Sequence, residues 1–100
     1  MKQIVAIVRP HLAEDVLAKL RRAPVEAICV NEVKGFGRQK SYLDEYDHTD
    51  FDQTFLPKVE ITLWVDESRC EEVLEKIVEV ARCGRIGDGK IFVMPVAEFY

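Results

Sequence analysis

The chain is poor in the residues from which most enzyme active sites and metal centres are built. It has only two histidines, His11 and His48, and its three cysteines show no metal-ligand spacing such as C-x-x-C. No serine or cysteine stands with an orienting base in a pattern typical of nucleophilic catalysis. We therefore expect a protein that is not an enzyme.

Long apolar runs and a surplus of positive charge are missing as well. No stretch approaches the roughly 20 apolar residues that cross a bilayer. The formal net charge of −4 argues against a nucleic-acid partner, because duplex binding rests on neutralising phosphates. An odd cysteine count, in a chain that begins directly with a strand pattern and no targeting segment, suggests reduced thiols and a cytoplasmic location.

The apolar residues follow the periods of strands and helices along one domain, residues 1–100. With 48% hydrophobic residues, the chain has enough apolar surface for a folded core. Period-two patterns predict strands, and i, i+3, i+4 patterns predict helices. The predicted strands cover residues 3–9, 25–34, 58–65 and 90–94. The predicted helices cover residues 11–22 and a stretch that follows the cap candidates 66–68 and ends near residue 83.

The order of these elements, β-α-β-β-α-β, is that of an α+β ferredoxin-like fold. Both helices would cover one face of the sheet, and the other face would stay bare. Because the first and third strands carry apolar residues toward both faces, we expect subunits to pack sheet to sheet.

Two short glycine-rich segments with cations flank the predicted third strand and second helix. One is GFGRQK at residues 35–40, which opens a long acidic loop reaching residue 55, and the other is GRIGDGK at residues 84–90. Glycines let backbone N–H groups approach a phosphate closely, and Arg38 can fork onto its oxygens. Each segment alone also suits an ordinary turn, and neither has the Walker spacing. Together they can face one cleft at the same end of the sheet.

Three segments resemble the PII signal-transduction family: NEVKGFGRQK at 31–40, FLPKV at 55–59 and GRIGDGKIFV at 84–93. The resemblance covers essentially the whole chain. It implies a homotrimer that binds ATP or ADP in clefts between subunits. It also implies that residues 37–55 form the T-loop, which contacts partner proteins, and that residues 83–90 form the B-loop.

The resemblance also assigns roles to individual residues. The nucleotide-binding residues would be Gly35, Phe36, Gly37, Arg38, Gln39, Gly87, Asp88, Gly89 and Lys90. Gln39 would also approach a Mg ion brought by ATP. Gln39 and Lys58 match the residues that bind 2-oxoglutarate, or another small anion, in members that sense it.

Several positions depart from the family pattern. Phe51 stands where members carry a tyrosine for uridylylation, and a phenyl ring has no hydroxyl to modify. Thr49 stands where some members carry a modifiable serine. Cys29, Thr62 and Trp64 differ from the usual residues near the nucleotide base.

The chain also stops at Tyr100. In the family, a tail beyond this point carries two arginines that contact phosphates. This sequence does not include those arginines, so we expect the protein to bind ADP or AMP as well as ATP.

The resemblance leaves the signal open. The first hypothesis is a regulator of nitrogen metabolism or ammonium transport that controls a membrane transporter or metabolic enzyme through its T-loop. An alternative keeps the fold but serves inorganic-carbon uptake or carboxysome function and responds to ADP or AMP and bicarbonate. A CutA-like metal-binding trimer and a plain interaction module are the remaining alternatives.

Overall fold

Four strands and two helices alternate in the computed structural model, which describes residues 1–35, 56–81 and 89–100. Their order confirms the predicted β-α-β-β-α-β arrangement of an α+β domain. The elements are β1 (Lys2–Val8), α1 (Pro10–Leu20), β2 (Val25–Gly35), β3 (Leu56–Val65), a short 3₁₀ turn (Glu67–Arg69), α2 (Cys70–Ala81) and β4 (Gly89–Pro95).

The four strands form one antiparallel sheet in the order β2-β3-β1-β4. β1 and β3 lie at the centre, and each helix connects two strands that have one other strand between them. This is the split β-α-β topology of ferredoxin-like domains. β2 and β4 form the two edges.

The core lies between the sheet and the two helices. Alternate residues of the central strands point toward the helices, as the period-two pattern predicts. Each helix contributes an apolar stripe to the same layer. The buried apolar residues are Ile4, Ala6, Val8, Ala13, Val16, Leu20, Val59, Ile61, Leu63, Val65, Cys70, Val73, Ile77 and Ala81.

A register shift near the start of β2 changes the prediction for that strand. Simple alternation places Val25 and Ala27 on the same face. In the structure Val25 pairs with Val65 and Ala27 pairs with Trp64, so one extra residue lies between them. Such a bulge reverses the facing of the residues before it. Val25 therefore packs against the core and Ala27 lies on the opposite face.

The helix starts also differ from the predicted bounds. α1 begins at Pro10 rather than at residue 11, because proline lacks an N–H and suits the first helical position. Before α2, the Asp66 carboxylate accepts a hydrogen bond from the Ser68 backbone N–H at 3.0 Å. Hydrogen bonds from the Ser68 side chain and backbone lower the pKa of Asp66.

The two helices are joined at their surface by an ion pair between Lys19 and Glu79, with a distance of 2.8 Å between Nζ and Oε1.

The face of the sheet that neither helix covers is called the open face. Within the described strands it consists of Gln3, Val5 and Ile7 in β1, Ala27, Cys29, Asn31 and Val33 in β2, Lys58, Glu60, Thr62 and Trp64 in β3, and Lys90, Phe92 and Met94 in β4. Phe92 is 47% exposed.

Among the described helices, none is long and apolar enough to cross a membrane.

We expect the two faces of β3 to respond differently to truncation. Ile61 is fully buried against the helices. Replacing it with alanine should lower the free energy of unfolding by about 2–5 kcal/mol, because the lost contacts leave a cavity. The neighbouring change Thr62→Ala, on the open face, should cost less than about 1 kcal/mol. Urea unfolding at one fixed protein concentration measures both; equal losses would contradict this assignment of faces.

Candidate functional site

The two glycine-rich segments of the sequence join the sheet at the same end. Gly35, the last residue of β2, pairs with Leu56, the first residue of β3, so residues 36–55 connect the strands there. Val8, at the end of β1, pairs with both Val59 and Gly89. Residues 82–88 therefore enter β4 at this end too, about 10 Å across the sheet from β3 at ordinary strand spacing.

Four of the predicted site residues fall in the described part of the chain. Gly35 ends β2, Lys58 lies near the start of β3, and Gly89 and Lys90 begin β4. The structure brings these four to one end of the sheet. The other candidates lie outside the described residues: Phe36, Gly37, Arg38, Gln39, Thr49, Phe51, Gly87 and Asp88. The same is true of the predicted T-loop, and of the predicted B-loop up to residue 88.

Gly89 is in close backbone contact with β1. Its φ of +148° is a conformation that side-chain-bearing residues rarely adopt. A Cβ built on Gly89 would overlap the carbonyl oxygen of Ile7 and lie 3.4 Å from its carbonyl carbon. Both neighbours are backbone atoms of a central strand, which cannot turn aside as a side chain can. Only glycine fits here, and this requirement fixes where the chain enters the sheet.

Charged side chains gather at this end of the open face. Lys90 is exposed, and its partner Ile7 pairs in turn with Glu60 on β3. Lys58, two residues before Glu60, is only 8% exposed. A buried ammonium group is stable only where neighbouring groups compensate its charge. This end of the face therefore carries the exposed Lys90, the buried Lys58 with its compensated charge, and Glu60.

The open face becomes apolar away from this charged end. The next pairing row contains Cys29, Thr62, Val5 and Phe92, and the row after it contains Ala27, Trp64, Gln3 and Met94. A surface with an exposed ammonium group at one end and apolar residues along its length suits an elongated ligand with an anionic end and a flat, less polar end. This row structure was not apparent from the sequence, because it depends on the register between strands that are far apart along the chain.

The described residues offer little for catalysis or for a metal. Among them, no group of three or more histidine, cysteine or acidic side chains could hold an ion. His11 is exposed at the start of α1. Of the two described cysteines, Cys29 is exposed on the open face and Cys70 is buried. Burial raises the pKa of the Cys70 thiol, so this residue is best described as part of the core.

Substitution of Gly89 tests the close contact with β1. We expect Gly89→Ala to lower the free energy of unfolding by about 1–3 kcal/mol, because the strand must shift or hold a strained conformation. The matched control is Lys90→Ala, an exposed neighbour in the same strand, which should change stability by less than about 0.5 kcal/mol. Urea unfolding followed by circular dichroism measures both. Unchanged stability of Gly89→Ala would show that the contact is not as close as described.

Comparison with known proteins agrees with this architecture. The family model described as "Nitrogen regulatory protein P-II" matches residues 1–100. A protein of that name from Azospirillum brasilense is 44% identical over 98% of this chain and 88% of its own length. The Synechocystis sp. protein of that name is 43% identical over 96% of this chain and 86% of its own length. One from Rhodospirillum rubrum is 42% identical over 98% and 88%. A match over the whole chain, together with these relatives, shows that the protein belongs to the P-II family of nitrogen regulatory proteins.

Proposed function

We propose that this P-II-type regulator binds an adenine nucleotide at the charged end of the open face and reports it to partner proteins through residues 37–55. The sensed ligand is ATP or ADP, or AMP, and Mg accompanies ATP. The partner is a membrane transporter or a metabolic enzyme of nitrogen metabolism, contacted in the cytoplasm. The names of the relatives favour nitrogen regulation over the alternative of inorganic-carbon uptake.

One observation carries the proposal. Lys90 and Gly89 lie at the end of the sheet where both glycine-rich segments join it. Lys90 is exposed at the point where the 82–88 segment enters β4. Gly35, across the sheet, begins the other segment, which contains Arg38. Glycine backbone N–H groups with flanking cations suit the oxygens of a polyphosphate. In this proposal, Gly35 and Phe36 line the site, and Gly37, Arg38, Gln39, Gly87, Asp88, Gly89 and Lys90 hold the phosphates.

A homotrimer would supply the second wall of this site. The open face exposes Phe92 and Met94, at 47% and 39%, where a monomer would leave them in water. Exposed apolar surface of this kind marks interaction sites in soluble proteins. A chain of 100 residues also gains stability from burying more surface by assembly. A second copy packed on the open face would turn a flat floor into a cleft.

A second effector would use the buried lysine of β3. Lys58 and Gln39 would bind 2-oxoglutarate, or another small anion, beside the nucleotide. Lys58 lies at the same end of the sheet as Gly35, Gly89 and Lys90, and this position supports the role. Bicarbonate is the competing anion if the chain serves inorganic-carbon transport instead. Adding each anion separately to nucleotide-loaded protein distinguishes the two.

Calorimetry with ATP, ADP and AMP tests nucleotide binding. Lys90→Ala should weaken binding roughly 10- to 150-fold, because it removes a charge-assisted contact to phosphate. The matched control is Lys34→Ala, since Lys34 is also exposed near a strand end but alternates onto the opposite face from Lys58 and Lys90. The Lys34→Ala variant should bind each nucleotide with the same affinity as the unaltered protein. Absence of binding by all three nucleotides would refute the proposal.

Sedimentation tests the assembly. We expect a species of three times the chain mass of 11.5 kDa. Phe92→Asp should dissociate it, because the change places a carboxylate in the apolar contact. Val30→Asp is the control: Val30 is 46% exposed, as Phe92 is, but it lies on the helix side of the sheet. A monomer at all concentrations, or equal dissociation by both variants, would contradict packing through the open face.

A further inference from the structure

Glu60 is the one carboxylate on the open face within the described strands, and it lies at the charged end of that face. Glu60 pairs with Ile7, and Ile7 pairs with Lys90. With one strand between them, Glu60 and Lys90 are about 10 Å apart at ordinary strand spacing. Lys58 is two residues away along β3, about 7 Å. An acidic side chain therefore lies where phosphate binding is proposed.

The charge of Glu60 is not cancelled by a close contact in the described part of the chain. No described residue forms an ion pair with Glu60. Its two neighbours across the sheet, Asn31 and Ile7, are uncharged. The side chain is also only partly exposed, so water and salt screen its charge less than they screen that of a fully exposed glutamate. The field of this carboxylate therefore reaches a ligand that lies on the open face.

A carboxylate in this position acts on a nucleotide according to the number of its phosphates. AMP, ADP and ATP share the base and the sugar, and each further phosphate adds negative charge. Repulsion between two unit charges about 10 Å apart weakens binding roughly 2- to 15-fold, for a dielectric between that of water and that of a protein surface. Lys90 attracts the same phosphates, so Glu60 offsets part of the gain in affinity that each added phosphate brings.

We propose that Glu60 sets the charge preference of the nucleotide site, because it opposes each added phosphate and so reduces the advantage of ATP over ADP and AMP. This inference rests on the proposed function, and it assigns that site a residue that determines specificity for phosphate number. A like charge placed beside a site is a general means of rejecting one ligand in favour of another. Glu60 acts through its charge and does not hold the nucleotide.

Calorimetry with AMP, ADP and ATP tests the inference, at low ionic strength and with a chelator that removes Mg. Glu60→Gln keeps the size of the side chain and removes its charge. It should strengthen ATP binding more than AMP binding and raise the ratio of the two affinities roughly 4-fold or more. The control is Glu32→Gln, since Glu32 is exposed at the same end of the sheet but pairs with the buried Val59 and lies on the helix side. It should change the ratio less than roughly 2-fold.

A second variant tests the same effect in the opposite direction. Asn31 is exposed on the open face and pairs directly with Glu60. Asn31→Asp adds a carboxylate to the same row, so it should weaken ATP binding more than AMP binding. The change should be smaller than that of Glu60→Gln, because position 31 is one strand farther from Lys90, about 15 Å across the sheet. Excess Mg, which neutralises part of the phosphate charge, should reduce the effect of both variants on ATP.

The outcomes separate this inference from the proposed function. If Glu60→Gln leaves the ratio of ATP to AMP affinity unchanged, the charge role is wrong although nucleotide binding stands. A change of all three affinities by the same factor would overturn it too, since Glu60 would then act on the structure of the site and not on ligand charge. Equal changes by Glu60→Gln and Glu32→Gln would contradict an effect specific to the open face. If no nucleotide binds the unaltered protein, the proposed function fails and the role of Glu60 fails with it.

Discussion

The burial of alternate residues of β1 and β3 against two helices is the constraint on which the rest of the structure depends. Ile4, Ala6 and Val8 pair directly with Leu63, Ile61 and Val59, and all six are buried. A slip of one residue would turn this whole set to the other face, so the register is strongly determined. The same alternation places Val5, Ile7, Thr62 and Trp64 on the open face, where function is proposed.

Much of the fold could be predicted from the sequence because its period-two and helical patterns are regular. Element order and the identity of the core stripes follow from such patterns. The bulge between Val25 and Ala27 could not be predicted, since one extra residue in an edge strand leaves a pattern that still alternates. The start of α1 at Pro10 was missed by one residue, because proline ends strands as readily as it begins helices.

The candidate site was predictable in part. Glycines next to cations point to phosphate chemistry from the sequence alone, and the strand ends place Gly35, Lys58, Gly89 and Lys90 at one end of the sheet. The rows of the open face required the structure, because Thr62 and Phe92 come into one row only through their pairing with Val5 of β1. The other predicted site residues lie in residues 36–55 and 82–88, outside the described part of the chain.

The contact between Gly89 and Ile7 has a mechanical consequence. Gly89 has no side chain, and its backbone lies against the carbonyl group of a central strand. A shift of the chain at this point would therefore require β1 to shift as well. The first side chain after residues 82–88 in the strand is that of Lys90, which directly follows this backbone contact. The position of the Lys90 backbone at the start of β4 is therefore set by the contact between Gly89 and β1.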